Sequence, residues 1–286
     1  MRLHHDFVTP AEFTLHTVQA GPQDGALAIL LHGFPEYWYG WRNQIPALAQ
    51  AGYRVMAPDQ RGYNLSEKPR NIQAYNLDRL AEDVLGLIDA AGRDRAFVVG
   101  HDWGAAVAWW IAIRYPQVVQ KLVILNAPHP VVLRRYVKHN TKQKVRSWYI
   151  AFFQIPWLPE YLMRQIRWQA ARNMMSLSSR PDTFTEHDIE RYVRAWSRPR
   201  AMSSMIDWYR AAARTRTARL NDLHVRVPTR IIWGANDIAL SRELAPLSLE
   251  MCDKGDLFFL EEATHWVQHD EPERVNELIL DFLQNS

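Results

Sequence analysis

Cysteine is nearly missing from this chain of 286 residues: Cys252 stands alone, so no internal disulfide can form and a reducing, cytoplasmic setting is the expectation. Long apolar runs are missing too. Nowhere do about eighteen apolar residues follow one another, which excludes a membrane-spanning helix. The opening stretch MRLHHDFVTPAEF also lacks the apolar core of a secretory signal. Internal repeats, heptads and low-complexity tracts are absent, which excludes solenoids and coiled coils. Without a long apolar run no membrane partner is expected; no recognition module accompanies the basic residues, so no nucleic-acid partner is expected either, while a homo-oligomer is left open.

The remaining composition is that of a globular enzyme-sized chain. Hydrophobic residues make up 48%, enough to bury the core of one large α/β domain, with or without a smaller insertion. The net charge of +3 conceals an asymmetry: residues 129–220 carry 18 Lys/Arg against 6 Asp/Glu, and the rest of the chain carries 16 against 25. Opposite charge marks two structural units. Solvated helix faces and mutual attraction between the units account for it without an anionic partner.

Periodicity supports the same division. Residues 13–18 alternate as an edge strand does, and 27–31, 53–57, 97–99 and 121–126 are short apolar runs of buried strands. Helical spacing over 78–91 ends at Gly92, and a second helix is predicted over 105–110. Strands alternating with helices predict a mostly parallel sheet covered on both faces. Residues 131–220 contain no good strand but many aromatics and arginines, with turn signals at Ile155-Pro156, Arg180-Pro181 and Arg198-Pro199, and read as an inserted helical cap. Strands return at 229–233 and 257–260, followed by an amphipathic helix over 272–283.

The chemistry centres on GHDWG, residues 100–104. A strand that turns at once into a helix needs small residues around the apex, and the apex side chain is then thrust above the sheet. In esterases that residue is a serine; here it is Asp102. A carboxylate, with a reference pKa of about 3.9, is ionised at neutral pH and attacks sp3 carbon without help from a base. The alternative is that Asp102 merely caps the following helix. Asp237, in WGANDIAL, and His265, in EEATHWVQHDEP, follow later strands in the order nucleophile, acid, histidine. His265 would deprotonate the water that cleaves the alkyl ester, and Asp237 would orient it. His265 and His269 are four residues apart, but Trp266 stands where a zinc protease carries glutamate and no third ligand is evident, so no metal is expected. His101 is assigned a structural role. In HGFPE, residues 32–36, the amide of Phe34, with that of Trp103, suits an oxyanion hole, and the Phe34-Pro35 bond is a candidate for the cis form.

With these residues in place, the chain resembles the epoxide hydrolases of the α/β-hydrolase superfamily over nearly its whole length. The stretches that carry the likeness are HGFPEYWYGW, DQRGYNLSEKP, GHDWG, WGANDIAL and HWVQHDEPERVN. The resemblance implies an α/β-hydrolase fold, with a core of residues 1–128 and 221–286 and a cap of residues 129–220. It also implies two cap tyrosines that bind and protonate the epoxide oxygen: Tyr149, in RSWYIAFFQIP, and Tyr209, in MIDWYRAAA. The implied reaction is cofactor-free hydrolysis of a small hydrophobic epoxide by water. Haloalkane and haloacetate dehalogenases share most of these motifs. However, Phe34 occupies the place where the former often carry Asn or Trp, and Trp103 the place where the latter carry Arg. A non-catalytic receptor of the same fold is a further alternative. Thr264, where a glycine often precedes the histidine, is the one departure noted. Trp103, Pro35 and Phe153 are candidates for substrate contact; Phe152, Phe153, Trp157, Met174 and Met175 form either an apolar pocket or the core of the cap.

Overall fold

The computed structural model describes residues 2–285. Strands β1 (His4–Val8), β2 (Leu15–Ala20), β3 (Leu27–Leu31), β4 (Arg54–Pro58), β5 (Ala96–His101), β6 (Val119–Leu125), β7 (Thr229–Gly234) and β8 (Gly255–Leu260) form one eight-stranded sheet. Their order is β1-β2-β4-β3-β5-β6-β7-β8, antiparallel at β1·β2 and β2·β4 and parallel from β4 to β8. The edge strand expected at 13–18 is a correction: that segment is β2, buried, and the true edge is β1. Edge residues in water need no apolar alternation, so HHDFV gives little signal.

Among the described residues, α1 (Gln44–Gln50), α2 (Leu77–Ala90) and α3 (Asp102–Arg114) precede β6. Six helices, α4 (Pro130–His139), α5 (Thr141–Arg146), α6 (Trp148–Phe152), α7 (Leu158–Ser178), α8 (Glu186–Trp196) and α9 (Ala201–Arg214), lie between β6 and β7. The chain closes with α10 (Leu244–Leu249), α11 (Val267–Asp270) and α12 (Pro272–Gln284). Strand residues alternate between two cores. Leu27, Ile29 and Leu31 pack with α2 and α3, whereas Ala28 and Leu30 pack with α1 and α12. Both faces are covered, which is why the central strands are apolar at every position. The first of these cores continues into Trp196, Trp208 and Tyr209 of α8 and α9. Among the described residues no helix is long and apolar enough to cross a membrane.

Candidate active site

The turn from β5 into α3 is as tight as its glycines require. A Cβ on Gly104 would stand 2.0 Å from the Leu31 carbonyl oxygen, and one on Gly33 would stand 2.4 Å from Cβ of Asp102. The Gly33 loop therefore crosses directly over the apex, where Asp102 holds a φ of +49°. A non-glycine residue in this left-handed region costs energy and marks a position imposed by its surroundings. The carboxylate does not cap its own helix, whose N-cap is His101. Its Oδ1 instead accepts the Phe34 N–H at 2.8 Å. Among the described residues the Phe34 amide is the only hydrogen-bond donor on this carboxylate; the Trp103 amide, also assigned to the oxyanion hole, makes no bond to it. The Phe34-Pro35 bond is cis.

The other oxygen, Oδ2, lies 3.7 Å from Nε2 of His265, too far for a direct hydrogen bond. On the far side of the ring, His265 Nδ1 meets Asp237 Oδ2 at 2.7 Å. Asp237 is fixed in turn by the amides of Ala239 and Leu240 on Oδ1, at 2.8 and 2.9 Å, and by Asn126 Nδ2 on Oδ2, at 2.9 Å. Burial works against the charge on Asp237, but His265, Asn126 and the Leu240 amide outweigh it and hold the carboxyl below its usual range. Burial likewise pushes His265 down; Asp237 and then Asp102 outweigh that and raise it to about 9.

Two groups of supporting residues escaped the reading of motifs. Asn126, at the end of β6 with a φ of +40°, accepts the Gly234 N–H at 2.8 Å as well as holding Asp237. An asparagine closing a buried strand was the available signal. The second group surrounds Glu36, which is 2% exposed and takes bonds from Tyr192 Oη (2.7 Å), His269 Nε2 (2.7 Å) and Gln268 Nε2 (3.1 Å). His101 turns away from the apex into this cluster, with Nε2 at 2.8 Å from the His265 carbonyl oxygen. His265 and His269, the pair considered for a metal, thus serve separate carboxylates.

Over Asp102 lies a box of aromatic rings. Tyr209, on α9, is buried and meets Phe34, Trp103, Phe153 and Tyr149 with centroids 5.3, 5.0, 4.8 and 5.9 Å away. Tyr149, on α6, is half-buried. Burial first, then the Asp102 charge, drives both phenols well above their ordinary range, so both keep their protons. Trp208 anchors α9 to the core through its Nε1–H and the Arg61 carbonyl, at 2.9 Å. Pro35 lies under α8, its carbonyl accepting Trp196 Nε1–H at 2.6 Å. Of the residues left between pocket and cap core, Phe153 and Met175 are buried, and Phe152 and Met174 are half-buried. Trp157 is a correction to both readings. It is 70% exposed on the outer side.

A carboxylate on a tight strand-to-helix turn, faced by a histidine–aspartate pair from later strands, defines an α/β-hydrolase built around an aspartate. The alpha/beta hydrolase fold family matches residues 28–272. The AB hydrolase superfamily protein YfhM of Bacillus subtilis is 46% identical over 98% of this chain and 97% of its own length. Human epoxide hydrolase 4 is 38% identical over 94% of this chain and 75% of that protein. An epoxide hydrolase from Bacillus megaterium, solved with an inhibitor, superposes with a TM-score of 0.89 at 31% identity, covering 98% of this chain and all of that one. The chain belongs to the alpha/beta hydrolase fold family and, within it, to the epoxide hydrolases.

Proposed function

We infer that this chain hydrolyses a small hydrophobic epoxide to a vicinal diol in two covalent steps. In the first, Oδ2 of Asp102 attacks a ring carbon while Oδ1 stays on the Phe34 amide. The carbon–oxygen ring bond breaks, and a phenol, Tyr149 or Tyr209, gives its proton to the alkoxide. In the second, His265, oriented by Asp237, takes a proton from water, and the hydroxide adds to Cγ of Asp102. Negative charge then grows on Oδ1, where the Phe34 and Trp103 amides serve as donors. The acyl bond breaks, His265 returns its proton to the departing diol oxygen, and the tyrosinate recovers the proton of the new carboxyl group. Asp102 keeps one oxygen from water.

The charge bookkeeping gives His265 its timing. Asp102 helps hold it protonated at rest, with a pKa of about 9. Ester formation removes that negative charge, so the imidazolium gives its proton to solvent and is neutral at the step that needs a base; it takes a proton back once the charge on Asp102 is restored. Residues 129–220 act in this reading as a cap over a core of 1–128 and 221–286, with Trp103, Pro35 and Phe153 touching the substrate. The single cysteine supports work in the cytoplasm.

The paired phenols above one carboxylate carry the proposal: opening an epoxide creates an alkoxide that must be protonated, whereas a departing halide needs no acid. The test is His265→Gln incubated with styrene oxide. The expected result is a protein heavier by one substrate molecule, with no diol released. Diol release without an adduct would contradict the two-step scheme, and release of chloride or bromide from haloalkanes by the wild type at comparable rates would favour a dehalogenase.

A further inference from the structure

The reaction uses the inner side of α6 and α9 and leaves the outer side of α6 and its neighbours unexplained. Among the described residues eleven large apolar side chains are exposed. Six of them, Val145, Trp148, Ile155, Trp157, Tyr161 and Leu162, fall within residues 145–162. Scattered exposed apolar residues are ordinary, but six within one short stretch of chain, two of them tryptophan, call for a partner. Trp148 is 63% exposed and packs only obliquely on Phe152, at 5.6 Å. Trp157 and Tyr161 line an open cleft of about 480 Å³ with Arg164, Gln165 and Ser203. Glu160 borders the same cleft, but its carboxylate is taken up by Arg210 at 2.7 Å.

The charge carried by this stretch of chain is almost all of one sign. Residues 130–181 contain ten Lys/Arg, and Glu160 is their only carboxylate. Lys138, Lys142, Lys144, Arg164 and Arg167 are all exposed. The ion pairs of the surrounding helices run through Arg172 and Arg210 instead, with Glu186, Glu190, Glu160 and Asp207.

We propose that this face docks peripherally on an anionic lipid bilayer, with Trp148, Trp157 and Leu162 entering the boundary between headgroups and acyl chains and the cations lying at phosphate level. Tryptophan and tyrosine suit a site that is apolar at one end and wet at the other, and lysine and arginine extend their charge outward from buried stems. Val145, Ile155 and Leu162 gain from hydrocarbon, which nucleic acid does not offer. A second copy bound through the same face would set cations against cations, because a two-fold contact joins a patch to itself. The chain has no run that crosses a bilayer, and for that reason the sequence suggests no membrane partner. Only the exposure of Trp148 and Trp157, in the same stretch as the half-buried Tyr149 and the buried Phe153, points to a surface contact. Since Tyr149 directly follows Trp148 on α6, docking would set the wall of the active site next to a reservoir of apolar solutes.

The test is flotation of the full chain with vesicles of phosphatidylcholine alone and of phosphatidylcholine with phosphatidylglycerol. Binding is expected only with phosphatidylglycerol, and it should weaken as salt is raised. Replacing Lys142, Lys144 and Arg164 with glutamine should lower partitioning about fivefold for each cation removed. The double variant W148S/W157S should lower it at least about tenfold with an unchanged unfolding midpoint, which separates loss of docking from loss of fold. No flotation with phosphatidylglycerol vesicles, or flotation that W148S/W157S leaves intact, would overturn the proposal. So would a concentration-dependent dimer abolished by W148S/W157S, or retention on a DNA duplex tighter than on the vesicles. None of these readouts depends on the reaction at Asp102.

Discussion

The core and the helical segment above it hold their contributions to the site by different physics. Asp102, Asp237 and His265 stand just past the ends of strands, Asp102 as the first residue of α3, and are fixed by directional bonds: the Phe34 amide, the Ala239 and Leu240 amides, and Asn126. Tyr149 and Tyr209 stand on helices and are fixed by ring packing, with Tyr209 against Phe34, Trp103 and Phe153. The core must hold charge, and buried charge is stable only with partners. The helices must hold two neutral phenols, and an apolar box does that while keeping their protons in place.

Removing the phenols while keeping the box separates proton donation from packing. Tyr149→Phe and Tyr209→Phe should each slow alkylation about tenfold to a hundredfold, and the double variant about a thousandfold or more, with the rings still packed. Rapid-mixing measurement of ester formation checks this; an unchanged alkylation rate in the double variant would remove the tyrosines from the mechanism. A smaller effect tests the charge on the core side. Asp102→Asn should lower the His265 pKa from about 9, because a negative neighbour that favours the imidazolium is gone. For the same reason the pH limb of ester hydrolysis in the wild type should lie below the pKa at which the resting His265 titrates by NMR. Coincidence of the two values would mean that Asp102 has no hold on His265.

The smallest effect concerns the seam between the regions. Trp196→Phe removes the bond to the Pro35 carbonyl and leaves that oxygen buried, at a cost of about 1–3 kcal/mol. Urea unfolding should show this loss with kcat retained. A full loss of kcat would instead make the seam part of the chemistry.

Legibility in the sequence follows the same divide. The parallel sheet, the elbow and the order Asp102, Asp237, His265 can be read from the chain because each depends on local rules: apolar strands, glycines where backbones approach closely, polar residues just after strands. The exposed edge strand β1 escaped because solvent imposes no alternation on HHDFV. Glu36 and its partners escaped because they converge from distant segments, Tyr192 from 156 positions away. In the helical segment, family resemblance singled out Tyr149 and Tyr209, but composition could not sort one aromatic from the next. Trp157 faces outward and Phe153 inward within the same short stretch, and only packing decides which.

If Asp102 forms a bond to carbon, water attacks the enzyme and not the epoxide. One turnover in heavy-oxygen water, with enzyme in excess over styrene oxide, tells the two routes apart. The expected products are a diol free of label and a peptide bearing Asp102 that has gained one heavy oxygen. A labelled diol with an unlabelled Asp102 would show instead that water opens the ring itself and that no bond to Asp102 forms.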